Sequence, residues 1–104
     1  MNVEQIARVF KALSDPHRIS IIKFLQKGEK CACHISDALS LSQSKLSYHM
    51  KILTDSTLIE SWTLGKWTHY KINPTGREHI ISILKEVTAE SPIRQPLISE
   101  FCDD

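Results

Sequence analysis

The spacing of apolar residues changes at about residue 58 and becomes helical again after Asn73-Pro74, and this pattern limits the folds available to the chain. Before this point apolar residues recur every three or four positions, which is typical of amphipathic helices. From Leu58 to Leu64 and from Trp67 to Ile72, aromatic and β-branched residues dominate instead. Gly65-Lys66 between them predicts a two-residue turn, so the segment predicts a β-hairpin.

Helical spacing predicts four helices before the hairpin and one after it. The predicted helices cover about residues 3–13, 16–26, 32–39, 43–55 and 74–88. Asp15 and Pro16 favour the start of the second helix, because an Asp side chain accepts bonds from free N–H groups and Pro has no N–H to leave unpaired. Ser42 is the expected N-cap of the fourth helix. We therefore expect a mainly α fold with a small β-hairpin, in the order α-α-α-α-β-β-α of a winged helix-turn-helix.

The composition is that of one soluble globular domain: the chain has 104 residues, of which 41% are hydrophobic and 24% are charged. This length suffices for a single modest core. No stretch is apolar enough to cross a membrane, and the N-terminal residues lack the apolar centre of a signal peptide. We therefore expect a cytoplasmic protein with no membrane partner, in which a disulfide framework is disfavoured.

Charge is unevenly distributed along the chain. Residues 41–71 carry four basic and two acidic side chains, whereas residues 72–104 carry three and six. The mildly basic middle is compatible with a surface that faces DNA phosphates. We expect residues 1–90 to form one DNA-binding and dimerisation domain, and residues 91–104 to form a flexible acidic tail that carries Cys102.

The fourth predicted helix has an apolar side and a polar side. Leu46, Met50 and Leu53 share the apolar side at helical spacing. The other side offers amide, hydroxyl and ammonium groups that bond base edges and phosphates. We expect DNA contacts from Gln43, Ser44, Lys45, Ser47, Tyr48, His49 and Lys51. His49 lies three positions after Leu46 and is therefore expected to face partly inward. The alternative to DNA contact is that the polar side of this helix meets only solvent.

Three further residue groups have defined expectations. Lys66 at the hairpin turn is placed to meet a DNA phosphate, unless it serves only solubility. Trp62, Trp67 and Tyr70 are expected to lie in the core. Arg18 either touches the DNA backbone or caps a neighbouring helix end, and the sequence favours neither.

Cys31 and Cys33 stand at the start of the third predicted helix and offer soft ligands. Thiolates select soft ions, among them trivalent arsenic, cadmium, lead and monovalent copper. Side chains two positions apart on a helix point about 200° from each other. If both cysteines were helical, one ion could bind both only by unwinding or tilting the start of that helix.

Other roles for these residues stay open. The cysteine pair could be packing residues, or a redox switch with or without Cys102. His34 is either a ligand for a borderline ion such as zinc or an exposed helix residue. Cys102 is either a third sulfur, from the same or another subunit, or incidental.

Several motifs occur together and in one order: Ala12–Arg18, the cysteine pair, Leu41–Ser44 with Ser47–His49, and Gly65–Tyr70. Together they resemble the ArsR/SmtB family of bacterial metal-responsive repressors, and the cysteine pair with the Gly-Lys-Trp wing is most similar to its arsenical and antimonial branch. Ser36 stands where the best-known arsenical pattern has a third cysteine, and Tyr48 where many relatives have arginine.

The resemblance implies a homodimer that sits on its operator without metal or cofactor and leaves when trivalent arsenic or antimony binds. The first and last predicted helices carry apolar surface that a second copy would cover. A two-fold dimer would present two fourth helices to a palindromic operator. A repressor of the same fold that responds to oxidants or to cadmium, lead, copper or zinc is the alternative.

An enzyme is disfavoured by the residues themselves. The chain has no C-x-x-C in a βαβ unit and no Gly-rich phosphate loop. Ser47 and His49 are close in sequence but lie on divergent sides of a helix. We therefore expect a DNA-binding regulator of a metal- or metalloid-resistance operon and no catalytic residues.

Overall fold

The computed structural model describes residues 1–92, and within them the chain forms five helices and three strands. The elements are α1 Val3–Ala12, α2 Pro16–Leu25, β1 Lys30–Cys31, α3 Ala32–Leu39, α4 Gln43–Asp55, β2 Ile59–Leu64, β3 Trp67–Ile72 and α5 Pro74–Thr88. The five predicted helices and the hairpin are confirmed. Cys102 and most of the expected acidic tail lie outside the described residues.

Helix starts follow the predicted capping residues. Asp15 accepts from the backbone N–H groups of His17 and Arg18 at 2.8 and 3.3 Å, and Pro16 occupies the first helical position of α2. Ser42 accepts from the N–H of Lys45 at 3.2 Å and so caps α4. These bonds satisfy N–H groups that have no partner within their helices.

The sheet has a strand that the sequence does not predict. β1 pairs antiparallel with β3, which also pairs with β2, so that the strand order is β1-β3-β2. Lys30 lies opposite Tyr70, and Cys31 lies opposite His69. A two-residue strand has no periodicity of its own, since its extended backbone depends on the partner strand. As a result, the segment before α3 is hydrogen-bonded to the hairpin.

The core lies where α2, α3, α4 and the base of the hairpin meet. Its largest fully buried side chains are Ile21, Ile35, Met50, Leu53 and Ile59. Burying such a side chain contributes about 1.5–3 kcal/mol each. Four structural elements are thus anchored to one another, and α3 and α4 are held as a unit against α2.

The prediction that Trp67 lies in the core is wrong, since it is 48% exposed. Its partner across the hairpin is Leu64, which is 63% exposed, and the pair adjoins the turn. In this register both residues lie at the turn end of the hairpin, too far from the core to be buried. Trp62 and Tyr70 are partly buried, and Trp62 stacks on His69 with ring centroids 5.7 Å apart.

The two terminal described helices keep apolar side chains on the surface. Val3 of α1 is 77% exposed, and Leu84 and Val87 of α5 are 50% and 51% exposed. Each would stabilise an association if another surface covered it. Among residues 1–92, no helix combines the length and the apolar character that a membrane crossing requires.

Candidate DNA-reading surface and thiol site

Helix α4 presents its polar side chains together on the protein surface. Six of the seven residues that the sequence groups on this helix are exposed: Gln43, Ser44, Lys45, Ser47, Tyr48 and Lys51. Leu46, Met50 and Leu53 are buried on the opposite side. Amide and hydroxyl groups at the N-terminal turn stand where a helix entering a major groove meets base edges.

His49, the seventh of these residues, lies inside the protein and is only 7% exposed. Its Nδ1 is 3.1 Å from Nη1 of Arg18. Arginine can only donate, so Nδ1 is the acceptor and the proton of the neutral ring lies on Nε2. Burial lowers the pKa of His49; the Asp15 carboxylate opposes this shift, and the Arg18 charge reinforces it. The ring therefore stays neutral near pH 7.

Arg18 joins three helices from a buried position. Its Nε donates to the carbonyl of Ala12 at 2.7 Å and its Nη2 to the carbonyl of Lys11 at 3.3 Å. The Ala12 carbonyl lies at the end of α1, where no helical N–H reaches it, whereas the Lys11 carbonyl also accepts from the N–H of Ser14 at 3.1 Å and from its Oγ at 2.8 Å. Of the two roles that the sequence leaves open for Arg18, the structure shows the helix cap. Its bond to His49, which the sequence does not indicate, extends this connection to α4.

The hairpin turn exposes a cation beside an aromatic ring. Lys66 is exposed and follows Gly65, whose φ of +63° suits glycine. The Nζ of Lys66 lies 5.3 Å from the centre of the Trp67 ring. The ammonium group can therefore meet a phosphate, and the exposed Trp67 and Leu64 give this turn an apolar surface next to the charge.

Cys31 and Cys33 lie together at the start of α3. Cys31 is the N-cap residue, with φ −80° and ψ 155°, and Cys33 is in the first turn. Their Cα atoms are 5.4 Å apart and a disulfide joins their sulfur atoms. A ring nitrogen of His34 lies within 4.8 Å of both sulfurs. Two thiolates and an adjacent imidazole are thus available to one ion once the disulfide is reduced.

This geometry corrects two expectations. The expectation that one ion must unwind the start of the third helix assumed that both cysteines are helical, and Cys31 is extended instead. Its pairing with His69 on β3 holds it extended, and its sulfur can therefore meet that of Cys33. A disulfide was also disfavoured by the expected compartment, yet the two sulfurs are bonded.

The thiol site fits a soft trivalent ion in part. A trigonal thiolate site needs three sulfur atoms, and the described residues supply two, Cys31 and Cys33. Cys31 is 8% exposed, whereas His34 is open to solvent. The donor chemistry therefore suits arsenic or antimony, provided that a third ligand comes from outside residues 1–92.

Known proteins resemble this chain in sequence. Residues 15–61 match the family described as bacterial regulatory protein, arsR family. The arsenical resistance operon repressor of Bacillus subtilis (strain 168) is 41% identical over 78 residues, which are 74% of this chain and 71% of that protein. The family match over residues 15–61 includes the cap of α2, the cysteine segment and all of α4.

Solved structures agree in fold. An ArsR-like transcriptional regulator from Rhodococcus sp. RHA1 matches with a TM-score of 0.71 and 26% identity, over 83% of this chain and 81% of that chain. The homodimeric winged helix-turn-helix DNA-binding domain Mb0332 from Mycobacterium bovis matches with a TM-score of 0.67 and 23% identity, over 89% of each chain. The fold is a winged helix-turn-helix, and the chain belongs to the arsR family of bacterial regulatory proteins, which are transcriptional regulators and not enzymes.

Proposed function

We propose that this protein represses a metalloid-resistance operon from the cytoplasm, and that trivalent arsenic or antimony releases it from its operator by binding Cys31 and Cys33. One observation carries the proposal. Cys31 is both the N-cap of α3 and a residue of β1, which pairs with the wing strand β3. The thiol site is therefore connected along the chain to α3, which precedes α4, and by strand pairing to the hairpin of β2 and β3, which we call the wing.

DNA recognition in this proposal uses α4 and the wing. Gln43 and Ser44 enter the major groove first, since they begin the helix, and Ser47 and Tyr48 follow along the same exposed side. Lys45, Lys51 and Lys66 contact phosphates. Lys51 pairs with Asp55 at 3.3 Å on the surface, an interaction weak enough to be exchanged for a phosphate. His49 supports the helix from inside through Arg18.

The DNA-binding unit in this proposal is a two-fold homodimer. The exposed Val3, Leu84 and Val87 give α1 and α5 apolar surface for a second copy to cover. The similar Mb0332 domain is a homodimer. Two copies of α4 would then face a palindromic operator, with each half-site read by one subunit.

Inducer binding in this proposal starts from the reduced pair. A cellular dithiol supplies the two electrons and two protons that convert the disulfide into two thiols. Arsenite, As(OH)₃, then exchanges one hydroxyl for each sulfur and releases one water per thiol proton. Cys102, of the same subunit or the other one, supplies the third sulfur. Formation of the arsenic–sulfur bonds displaces Cys31. This displacement moves α3 and β1 relative to α4 and the hairpin turn, which contact the DNA.

The proposal is tested by measuring operator release. We expect micromolar arsenite to release wild-type protein from a labelled operator fragment, and Cys31→Ser and Cys33→Ser variants to stay bound. Ala38→Ser, which places the same residue type at an exposed position of α3, serves as a matched control and should respond as wild type does. Bound arsenic per subunit in Cys102→Ser should fall relative to wild type. Release of both serine variants by arsenite, or no DNA binding at all, would contradict the proposal.

A redox-responsive repressor is the second candidate, because Cys31 and Cys33 are joined as a disulfide. In that case peroxide, which takes two electrons from the two thiols, would release the operator, and a dithiol would restore binding. Arsenite would have no effect on the reduced protein. The same titration, repeated with cadmium, lead, copper(I) and zinc, distinguishes the remaining soft-ion alternatives.

The role of Lys66 can be measured through the salt dependence of DNA binding. Each phosphate contact contributes about one unit to the slope of log K against log salt concentration. We expect Lys66→Ala to weaken binding to all sequences alike and to reduce the slope by about one unit. Lys27→Ala, an exposed lysine after α2, is the matched control. An unchanged slope for Lys66→Ala would remove this residue from the DNA surface.

A further inference from the structure

Asp15, His17 and His49 form a second group of metal-ligating side chains, separate from the cysteines. One ligand atom from each lies within 4.8 Å of the other two. We propose that these three residues bind one divalent ion of the borderline class, such as Zn²⁺, and that the ion takes His49 away from Arg18. The site would join the start of α2 directly to α4.

The three side chains come together from two helices. Asp15 and His17 stand at the cap and in the first turn of α2, whereas His49 lies in the middle of α4. The two imidazole rings have centroids 5.4 Å apart. Asp15 uses Oδ1 for both capping bonds, which leaves its other carboxylate oxygen for an ion.

The donor set decides the class of ion. Two imidazole nitrogens and one carboxylate oxygen suit zinc and its neighbours among the transition metals, and they do not suit soft ions that require sulfur. Zinc sites with three protein ligands complete their coordination with water. His17 is exposed, so an ion can enter from solvent at this residue, whereas the buried His49 forms the inner end of the site.

The hydrogen bond from Arg18 makes metal binding a competition. In the metal-free protein Nδ1 of His49 accepts from Arg18, so Nε2 carries the ring proton. An ion can take Nδ1, and then Arg18 must leave. The ion can instead bind Nε2, but the ring proton must then move to Nδ1. There the proton points at the guanidinium of Arg18, which has no acceptor for it. The Arg18–His49 bond is lost in either case.

This competition would change what holds α4 in place. Without the ion, Arg18 links α4 to the carbonyls at the end of α1. With the ion, α4 is linked to the start of α2 instead. Because α4 is the reading helix of the proposed function, the regulatory meaning of this exchange rests on that proposal. The metal site itself does not, since no cysteine takes part in it.

The test uses full-length protein in which Cys31, Cys33 and Cys102 are all serine, so that thiolates cannot contribute. We expect calorimetric titration with zinc, and optical titration with cobalt(II), to show one ion per subunit. His17→Gln should weaken binding by at least about tenfold, because mutating a residue that only hydrogen-bonds a metal ligand already lowers metal affinity by about that factor. Asp15→Asn keeps the helix cap but loses the charge, and it should weaken binding comparably. His79→Gln, on the exposed side of α5, is the matched control and should bind as the parent does.

A second readout tests the exchange at Arg18. Long-range proton–nitrogen spectra report which ring nitrogen of His49 carries the proton. We expect the Nε2–H form without metal and a metal-bound nitrogen with zinc. Absence of ion binding to the cysteine-free protein, or equal affinity in His17→Gln and the parent, would overturn the proposal. An unchanged His49 signal in zinc-loaded protein would overturn it as well. If arsenite did not release the wild-type protein from its operator, the proposed function would be contradicted. The expected results of the metal titrations would not change.

Discussion

Replacing Arg18 by methionine is expected to lower the free energy of unfolding by about 3 kcal/mol, because two buried acceptors, the carbonyl of Ala12 and Nδ1 of His49, lose their donor. The guanidinium bonds the carbonyls of Ala12 and Lys11 and Nδ1 of His49, and Arg18 is only 7% exposed. Methionine fills much of the same volume but donates nothing. Hydrogen bonds to charged groups contribute about 1.5–3 kcal/mol each, and leaving an acceptor unsatisfied adds its desolvation cost. The expected loss is therefore large for one side chain.

Urea unfolding measures this loss, and two further variants separate its parts. Arg8→Met, on the exposed side of α1, should change stability by less than about 0.5 kcal/mol. A double-mutant cycle with His49→Gln isolates the contribution of the Arg18–His49 bond, since it subtracts the effect of each residue alone. A loss below about 1 kcal/mol in Arg18→Met would mean that water satisfies the carbonyls, and the three-helix connection would then contribute little.

The elements that the sequence predicts are those with local signals. Leu46, Met50 and Leu53 define the inner side of α4 by spacing alone, and Ser42 marks its start, so both could be identified without a structure. Gly65-Lys66 likewise fixes the turn of the hairpin. Each of these signals lies within a few residues of the feature that it determines.

The missed features depend on partners far away in the chain. His49 and Arg18 are 31 positions apart, so no spacing rule connects them. Cys31 is extended because it pairs with His69, and a two-residue strand carries no pattern that predicts this. Trp67 is exposed because the hairpin register places it at the turn. The geometry of the thiol site therefore depends on tertiary pairing, although its residues are evident from the sequence.

Gly76→Ala is expected to destabilise the fold although alanine is the better helix former. Gly76 is buried in the first turn of α5, against the turn that connects α4 to β2. An added Cβ would overlap the carbonyl oxygen of Thr57 and lie 2.5 Å from its carbonyl carbon. Alanine gains about 1 kcal/mol in helix propensity, whereas overpacking typically costs about 1–3 kcal/mol and occasionally more. The overpacking cost should exceed the gain in helix propensity, because the overlapping group is the backbone carbonyl of Thr57, which cannot change rotamer.

We therefore expect Gly76→Ala to lower the free energy of unfolding by at least about 1–2 kcal/mol, as measured by urea or thermal unfolding. Ser82→Ala, at an exposed position of the same helix, isolates the propensity gain and should be neutral or slightly stabilising. Relief of the overlap requires α5 to move away from Thr57, and α5 carries Leu84 and Val87, which we place in the dimer interface. Sedimentation should accordingly show weaker dimerisation for Gly76→Ala and an unchanged dimer for Ser82→Ala. If Gly76→Ala were as stable as the parent, the close approach of α5 to the Thr57 carbonyl would not hold in solution, and the position of α5 relative to α4 would have to be revised.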